Sequence, residues 1–384
     1  MAYTPHDYAS MLGDKGRMNA YSAALKRAIN PDSVVLDLGT GTGYFAVLSC
    51  LLGAKKVYAI EPNPAICIGE QLAADNGVGK QITWFEDYSS NVTLPEQVDI
   101  IVSDLRGLLP QNEGNLPAIK DARTRFLKPN GILLPQRDKL WIAVASDEEI
   151  YKQIKQPWLP IEFPEFDLSS FEAAHSHTYV SREARSANLL SKASLWTEIE
   201  YATATTMNHR QQLDFPIKKD GTGHGIYVWF ETHIDSESSY SFGPDVPMTV
   251  YGCAFFPWKR PLELKQDDRV SIDLAVHLGA EGYDWTWNTT FAPVSTERTG
   301  ESFQQSTFFA PSSLKKTEIA KRSHRFKPRC KERGSVAIQA LSLMNQERTI
   351  EEIARILSTE FPSIKKSPEE WINMVASLSQ EFAD

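Results

Sequence analysis

The sequence predicts an α/β fold continued by β structure. A parallel, Rossmann-like sheet runs to residue 135, an antiparallel β-barrel or sandwich fills 136–312, and a small helical module ends the chain. Three observations predict it. Val34-Val35-Leu36-Asp37-Leu38 is a short apolar run that enters a glycine-rich turn, Gly39-Thr40-Gly41-Thr42-Gly43, and Tyr44 to Leu52 then reads as a buried helix. A second apolar run, Val57-Tyr58-Ala59-Ile60, ends in an acid, Glu61. After Pro135 the texture changes to short alternating runs rich in Trp, Tyr, Phe and Val, separated by Gly, Pro and Asp. Alternating strand and helix requires a parallel sheet with covered faces, and short alternating strands between turn residues require an antiparallel one.

Residues 7–30 read as helical, with apolar Met11, Leu12, Met18, Tyr21, Leu25 and Ile29. The stretch from Val34 to Glu61 then forms a βαβ unit suited to a nucleoside. Glycines let the backbone approach a ligand, and the acid can accept hydrogen bonds from ribose hydroxyls. The spacing Gly39-x-Gly41-x-Gly43 is not the G-x-G-x-x-G of dinucleotide folds, and no Lys follows, so the turn is not a phosphate-cradling loop. Ile82 to Phe85 and Val98 to Ser103 are further strands. The second, nearly all apolar, runs into Asp104-Leu105-Arg106-Gly107-Leu108-Leu109-Pro110-Gln111-Asn112-Glu113.

These motifs carry a family resemblance. D-x-G-x-G-x-G, from Asp37 to Gly43, resembles the first motif of class I S-adenosylmethionine methyltransferases. The stretch from Asp104 to Glu113 resembles the hairpin of protein arginine methyltransferases, in which two carboxylates stand at this same spacing. Tyr8-Ala9-Ser10-Met11-Leu12-Gly13-Asp14-x-x-Arg17-x-x-x-Tyr21 resembles that family's N-terminal helix, and Ala122 to Pro135 its passage into a β-barrel. The resemblance runs from about residue 7 to 290, densely to 145. It implies S-adenosylmethionine as cofactor, with Met11, Arg17, Asp37, Gly39, Gly41, Glu61 and Asp87 around it. Arg17 would pair with the methionine carboxylate, and Asp87 or its neighbour Glu86 would lie on the adenine side. Asp104 and Glu113 would be the catalytic acids. Pro157 to Leu190 would be a helical dimerisation arm, since Phe166-Asp167-Leu168-Ser169 resembles its opening, so a homodimer is expected.

The chemistry explains the two acids. A guanidinium is planar and cationic, and its forked donors match carboxylates. Its delocalised lone pairs make it a poor nucleophile. Two carboxylates can hold it, draw positive charge away from one nitrogen and aim that nitrogen at a sulfonium methyl.

The chain departs from the family at several positions. Asp104 is one methylene shorter than the family's Glu, and Leu105-Arg106 replaces Trp-Met. A cation inside the hairpin either pairs with Asp104 or Glu113 or faces solvent. The family's Thr-His-Trp loop aligns with Thr249-Val250-Tyr251, without its histidine, and Asn115 stands where a second methionine is common in one subclass. The N-terminal segment lacks most of a helix that covers the cofactor in typical members. The methylation product type is therefore open, and three functions remain: transfer to arginine of a protein or peptide, transfer to another amine, amide or carboxylate of a peptide or small metabolite, or a degenerate fold that only binds.

Composition narrows the class. The 384 residues suffice for two or three domains, and 42% hydrophobic content suffices for cores. No apolar run reaches the ~18 residues of a membrane span, and no charged-then-apolar signal pattern opens the chain. The four cysteines, Cys50, Cys67, Cys253 and Cys330, form no C-x-x-C pair, which suggests reduced thiols, no metal site and a cytoplasmic protein. A net charge of −9 argues against a general nucleic-acid binder and suits a cationic protein or peptide partner.

The C-terminal part changes character again. Residues 313–333 form a basic linker, where Lys315, Lys316, Lys321, Arg322, Arg325, Lys327, Arg329, Lys331 and Arg333 oppose Glu318 and Glu332. Residues 334–384 read as helices: Ser335 to Met344, one opened by a capping box at Thr349 to Glu352, and one opened by Ser367-Pro368-Glu369-Glu370. The pattern resembles PqqD-like domains, small winged-helix modules that bind leader peptides of ribosomally made natural products, where a peptide adds to a sheet edge. A helical cap on the barrel is the alternative.

Overall fold

A computed structural model describes residues 4–112, 114–155, 177–247, 250–279, 282–309 and 327–383. The chain divides into two units, 1–312 and 313–384.

The first unit opens on two helices, α1 (Pro5–Leu12) and α2 (Lys15–Ala28), where the sequence period suggested one. Asp14 divides them. Its side chain accepts the Arg17 amide at 3.1 Å and so caps a new helix. Then β1 (Val34–Leu38), α3 (Tyr44–Leu51), β2 (Lys56–Ile60), α4 (Ile66–Asp75), β3 (Ile82–Phe85), β4 (Val98–Ser103), α5 (Asn115–Arg125) and β5 (Leu127–Leu134) alternate. Their five strands form a parallel sheet in the order β3-β2-β1-β4-β5. Every residue of β1 is buried, as a central strand covered on both faces requires.

The remainder of this unit is antiparallel. Its strands are β6 (Arg137–Ala145), β7 (Val180–Arg182), β8 (Ser194–Glu200), β9 (His209–Pro216), β10 (Gly221–His233), β11 (Ser239–Ser241), β12 (Cys253–Leu264), β13 (Arg269–Gly279), β14 (Gly282–Ala292) and β15 (Glu301–Ser306), with helix α6 (Glu148–Lys155) after β6. One sheet runs β7-β12-β10-β6-β8, with β11 added to β10, and a second runs β15-β14-β13-β9. The sheets face each other across indoles. Trp196 of β8 donates to the Leu274 carbonyl at 3.2 Å, and Trp287 of β14 to the Pro257 carbonyl at 3.0 Å. The second half of the expected arm is not free-standing, because β7 extends the first sheet along β12. Its first half, with Phe166-Asp167-Leu168-Ser169, lies outside the described residues.

The described part of the second unit is three helices, α7 (Glu332–Met344), α8 (Ile350–Glu360) and α9 (Pro368–Phe382). They enclose their own core, including Val336, Ala340, Ile353, Leu357, Trp371 and Val375. No strand occurs among its described residues. Residues 310–326, which include much of the basic linker, lie outside them.

Candidate active site

The carboxyl ends of β1, β2 and β4 meet where the strand order reverses, the place at which open α/β sheets bind ligands. β1 opens into the glycine turn. Gly39 and Gly41 have φ of 74° and 56°, the left-handed region that glycine tolerates. They also keep space clear. A Cβ at Gly39 would stand 2.3 Å from Leu105 Cδ2, and one at Gly41 2.7 Å from the Tyr8 ring. The turn is clasped to β2. The Gly39 and Thr40 amides donate to the Ile60 carbonyl, and the Gly41 amide donates to Glu61 Oε2 at 2.9 Å. The Asn63 amide donates to Oε1, also at 2.9 Å. Each Glu61 oxygen has one amide and keeps a second lone pair. Burial pushes this carboxyl up, against those two amides.

Asp37 sits behind the turn. It is buried and accepts the Thr40 hydroxyl at 2.5 Å. Burial, which the Thr40 hydrogen bond and the Ala46 amide oppose, pushes it up to about 7.

Across the pocket, Arg17 projects from α2 toward the end of β4. Its Nη1 donates to Asp104 Oδ2 at 2.5 Å, and its Nη2 donates to the Met11 carbonyl. Arg106 resolves the alternatives left by the sequence. It is buried and pairs with Asp104, donating from Nε at 3.1 Å and Nη2 at 2.8 Å to Oδ1. Its Nη1 reaches Asp138 Oδ1 and Thr232 Oγ1, both at 3.2 Å, and Nη2 reaches the hydroxyls of Tyr21 and Tyr240. Burial works against the charge of Asp104, yet Arg106 and then Arg17 hold its carboxyl below the ordinary value. For Asp138 burial wins over Arg106 and pushes the carboxyl up. The two partners of that pair therefore differ: Arg106 is firmly a cation, and Asp138 is the more easily protonated acid.

A cavity of about 530 Å³ joins these parts. Of the residues expected from sequence, Met11, Arg17, Gly39, Gly41, Glu61 and Asp104 line it. Asp37 braces the turn from behind. Asp87 is exposed, accepting from Asn91 Nδ2 and the Tyr88 amide, while Tyr88 is on the wall. Glu113 lies outside the described residues, as does Thr249. Tyr251, from the loop that lacks the histidine, donates its hydroxyl to the Arg106 carbonyl at 2.6 Å. Asn115 is buried on α5, where it donates to the Pro110 carbonyl at 2.9 Å.

Residues 21–112 match the family described as Ribosomal protein L11 methyltransferase (PrmA), and residues 136–282 match the Arginine methyltransferase oligomerization subdomain. The Protein arginine N-methyltransferase PRMT10 of Oryza sativa subsp. japonica is 28% identical over 310 residues, covering 71% of this chain and 81% of that protein. The chain is similar to the arginine methyltransferases in both parts of its first unit. A second relative, the Arginine N(omega)-methyltransferase of Streptomyces achromogenes subsp. streptozoticus, is 28% identical over 275 residues, covering 70% of this chain and 76% of that protein. The solved structure of Arabidopsis thaliana Protein Arginine Methyltransferase 10 superimposes with a TM-score of 0.69 at 20% identity, covering 79% of this chain and 97% of that one. The Trypanosoma brucei PRMT1 enzyme-prozyme complex with AdoHcy gives 0.70 at 20% identity, covering 78% and 97%. At that identity the likeness to both structures is one of fold.

The arginine methyltransferase-like family uses S-adenosylmethionine, and the residues present fit it. The glycine cradle would be filled by any Cβ. Glu61 has acceptor capacity to spare. Arg17 Nε is buried without an acceptor, an orphan donor that a carboxylate would satisfy. Sequence reasoning did not find the partners of Arg106 on the antiparallel side, nor Tyr8 and Tyr88 on the wall. One signal was available. An arginine within the apolar hairpin stretch Leu105 to Leu109 calls for a buried acid, and Asp138 stands two residues before the apolar run Leu140 to Ala145 of β6.

Proposed function

We propose that this protein is an S-adenosylmethionine-dependent N-methyltransferase that acts on the guanidinium of an arginine in a protein or peptide. One observation carries the reading: a single pocket spans the nucleoside turn with Glu61 and the acid Asp104 gripped by Arg17. Both relatives named above carry arginine in their names, which supports this acceptor. When bound, S-adenosylmethionine supplies an electrophilic sulfonium methyl. Glu61 accepts from the ribose hydroxyls, and Arg17 pairs with the methionine carboxylate. Met11 covers the cofactor, and Tyr88, with Asp87 beside it, serves the adenine side. Asp104 and Glu113 orient the acceptor nitrogen. No covalent enzyme intermediate is required, because positioning two bound reactants can lower a barrier by up to about 7–11 kcal/mol, and charge stabilisation adds to it.

The pairing of Arg106 with Asp104 supports a second reading, in which the acceptor is another amine, amide or carboxylate of a peptide or small metabolite. Fragment-ion mass analysis after incubation with S-adenosylmethionine separates the two. Methyl on a guanidino nitrogen is expected for an arginine peptide. Glu113→Gln is expected to keep cofactor affinity and lose turnover by orders of magnitude. Methyl only on other acceptors would reject the first reading, and cofactor binding without any transfer would mean a binding scaffold. We further propose a cytoplasmic enzyme, dimeric through the 157–190 arm, whose β sheets close as a barrel. Residues 334–384 would act as a PqqD-like leader-peptide module for a ribosomal natural-product precursor. Among the described residues no helix is long and apolar enough to cross a membrane.

A further inference from the structure

We infer that Arg106 sets how the acceptor is held. It is a resident guanidinium that occupies the inner oxygen of Asp104, so an incoming guanidinium meets this acid by one oxygen only. The inference rests on the arginine acceptor proposed above and deepens it.

Arg106 is not a surface side chain poised to swing away. It is 2% exposed, and its three nitrogens all have acceptors: Asp104 from Nε, Asp138 and Thr232 from Nη1, and Asp104, Tyr21 and Tyr240 from Nη2. Those acceptors come from both parts of the first unit, Tyr21 on α2 and Asp104 after β4, against Asp138 on β6, Thr232 on β10 and Tyr240 on β11. The rings of Tyr21, Phe230 and Tyr240 stand 5.8–5.9 Å from its Cζ, which adds cation–π attraction.

The consequence falls on Asp104. Oδ1 takes two N–H groups from Arg106, its full lone-pair capacity, and Oδ2 takes Arg17 Nη1. One acceptor position on Oδ2 remains. A guanidinium ordinarily takes a carboxylate by two parallel N–H···O bonds, one to each oxygen. Arg106 denies that geometry to any second guanidinium and opposes it with like charge. Asp138 makes the arrangement tolerable. It is fully buried, accepts from Tyr201 and Thr232 as well, and gives Arg106 a second acid beside the Asp104 carboxylate that it shares with Arg17. Arg106 and Asp138 are therefore a compensating pair, and they must be removed together for Asp104 to regain its inner oxygen without leaving a buried acid unpaired.

The test uses the full chain carrying Arg106→Met with Asp138→Leu, and separately Arg106→Gln with Asp138→Asn, which keeps acceptors for Tyr201 and Thr232. Each protein is loaded with S-adenosylhomocysteine and titrated with an arginine-containing peptide and with the same peptide carrying neutral citrulline. The arginine peptide should bind at least tenfold tighter to both double variants than to the wild type, with no gain for the citrulline peptide. Equal or weaker arginine binding, or an equal gain for citrulline, would overturn the inference. Loss of S-adenosylhomocysteine titration in both variants would also overturn it, by making Arg106 a residue that only holds the fold. Methyl transfer by the wild type is read separately. Tightened arginine binding without any methylarginine would reject the arginine acceptor and leave the role of Arg106 standing.

Discussion

Single atoms decide the cofactor site. Gly39→Ala would force a Cβ to 2.3 Å from Leu105 at a φ of 74°, and Glu61→Ala would remove the acceptor that also clasps the Gly41 amide. A hydrogen bond to a charged group contributes about 1.5–3 kcal/mol, so each change should weaken S-adenosylmethionine binding by one to two orders of magnitude or more. Calorimetric titration reads this, and wild-type affinity in both variants would remove the assignment. Asp37 makes a different prediction. Its folded value, about 7, lies above the ordinary 3.8, so the folded state holds the proton longer than the unfolded chain does. That stabilisation is complete below pH ~4 and is lost as pH rises toward 7, by at most about 4 kcal/mol. Asp37→Asn does not titrate. The stability of wild type relative to this variant should therefore fall between pH 4.5 and 7.5 in urea unfolding, and parallel curves would refute it. The glycine turn and Glu61 were legible in sequence because they follow from spacing along one strand–turn–helix–strand unit, whereas Arg17 and Asp104 were picked out only through the resemblance of two separate motifs. The partners of Arg106 were not, because Asp138, Thr232 and Tyr240 come to it through strand pairing across distant sequence.

Elements with a strong local signal were also legible. Four of the five parallel strands, and the starts of the two capping-box helices of the second unit, were read close to where they stand, since apolar runs and caps are local. β9, β14 and β15 escaped. Their sequences, such as His209-Arg210-Gln211-Gln212, carry polar residues on the open face, and only pairing along β13 and β14 holds them as strands. The break between α1 and α2 escaped because helical periodicity passes through Gly13. That break shapes the pocket, since α1 supplies Met11 and α2 supplies Arg17 to its lining. Asp14→Ala should cost about 1 kcal/mol by loss of the cap. It should also weaken cofactor binding several-fold, since the cap starts the turn that aims Arg17. Asp14→Asn, which keeps an oxygen to cap the Arg17 amide, provides the control. If both variants bind the cofactor alike, the cap has no positioning role.

The whole chain is two units, and each has its own core. That independence makes the leader-peptide proposal testable. If Arg106 leaves Asp104 with one free acceptor position, the local hold on an acceptor is weak, and affinity must come from contacts elsewhere on the substrate. A tethered recognition module supplies such affinity by raising effective concentration, with no change in the chemical step. A chain ending at residue 312 should therefore keep S-adenosylmethionine affinity and kcat. Its KM for a long precursor peptide should rise by ~10²-fold, and its KM for a short core peptide should stay within about twofold. Lys327, Arg329, Lys331 and Arg333 are exposed, so the advantage of the long peptide, if its leader is acidic, should shrink between 0.05 and 0.5 M salt as screening shortens to a few ångströms. Steady-state rates at two salt concentrations measure both effects. Equal discrimination between long and short peptides with and without residues 313–384 would mean that these helices cap the fold and recruit nothing.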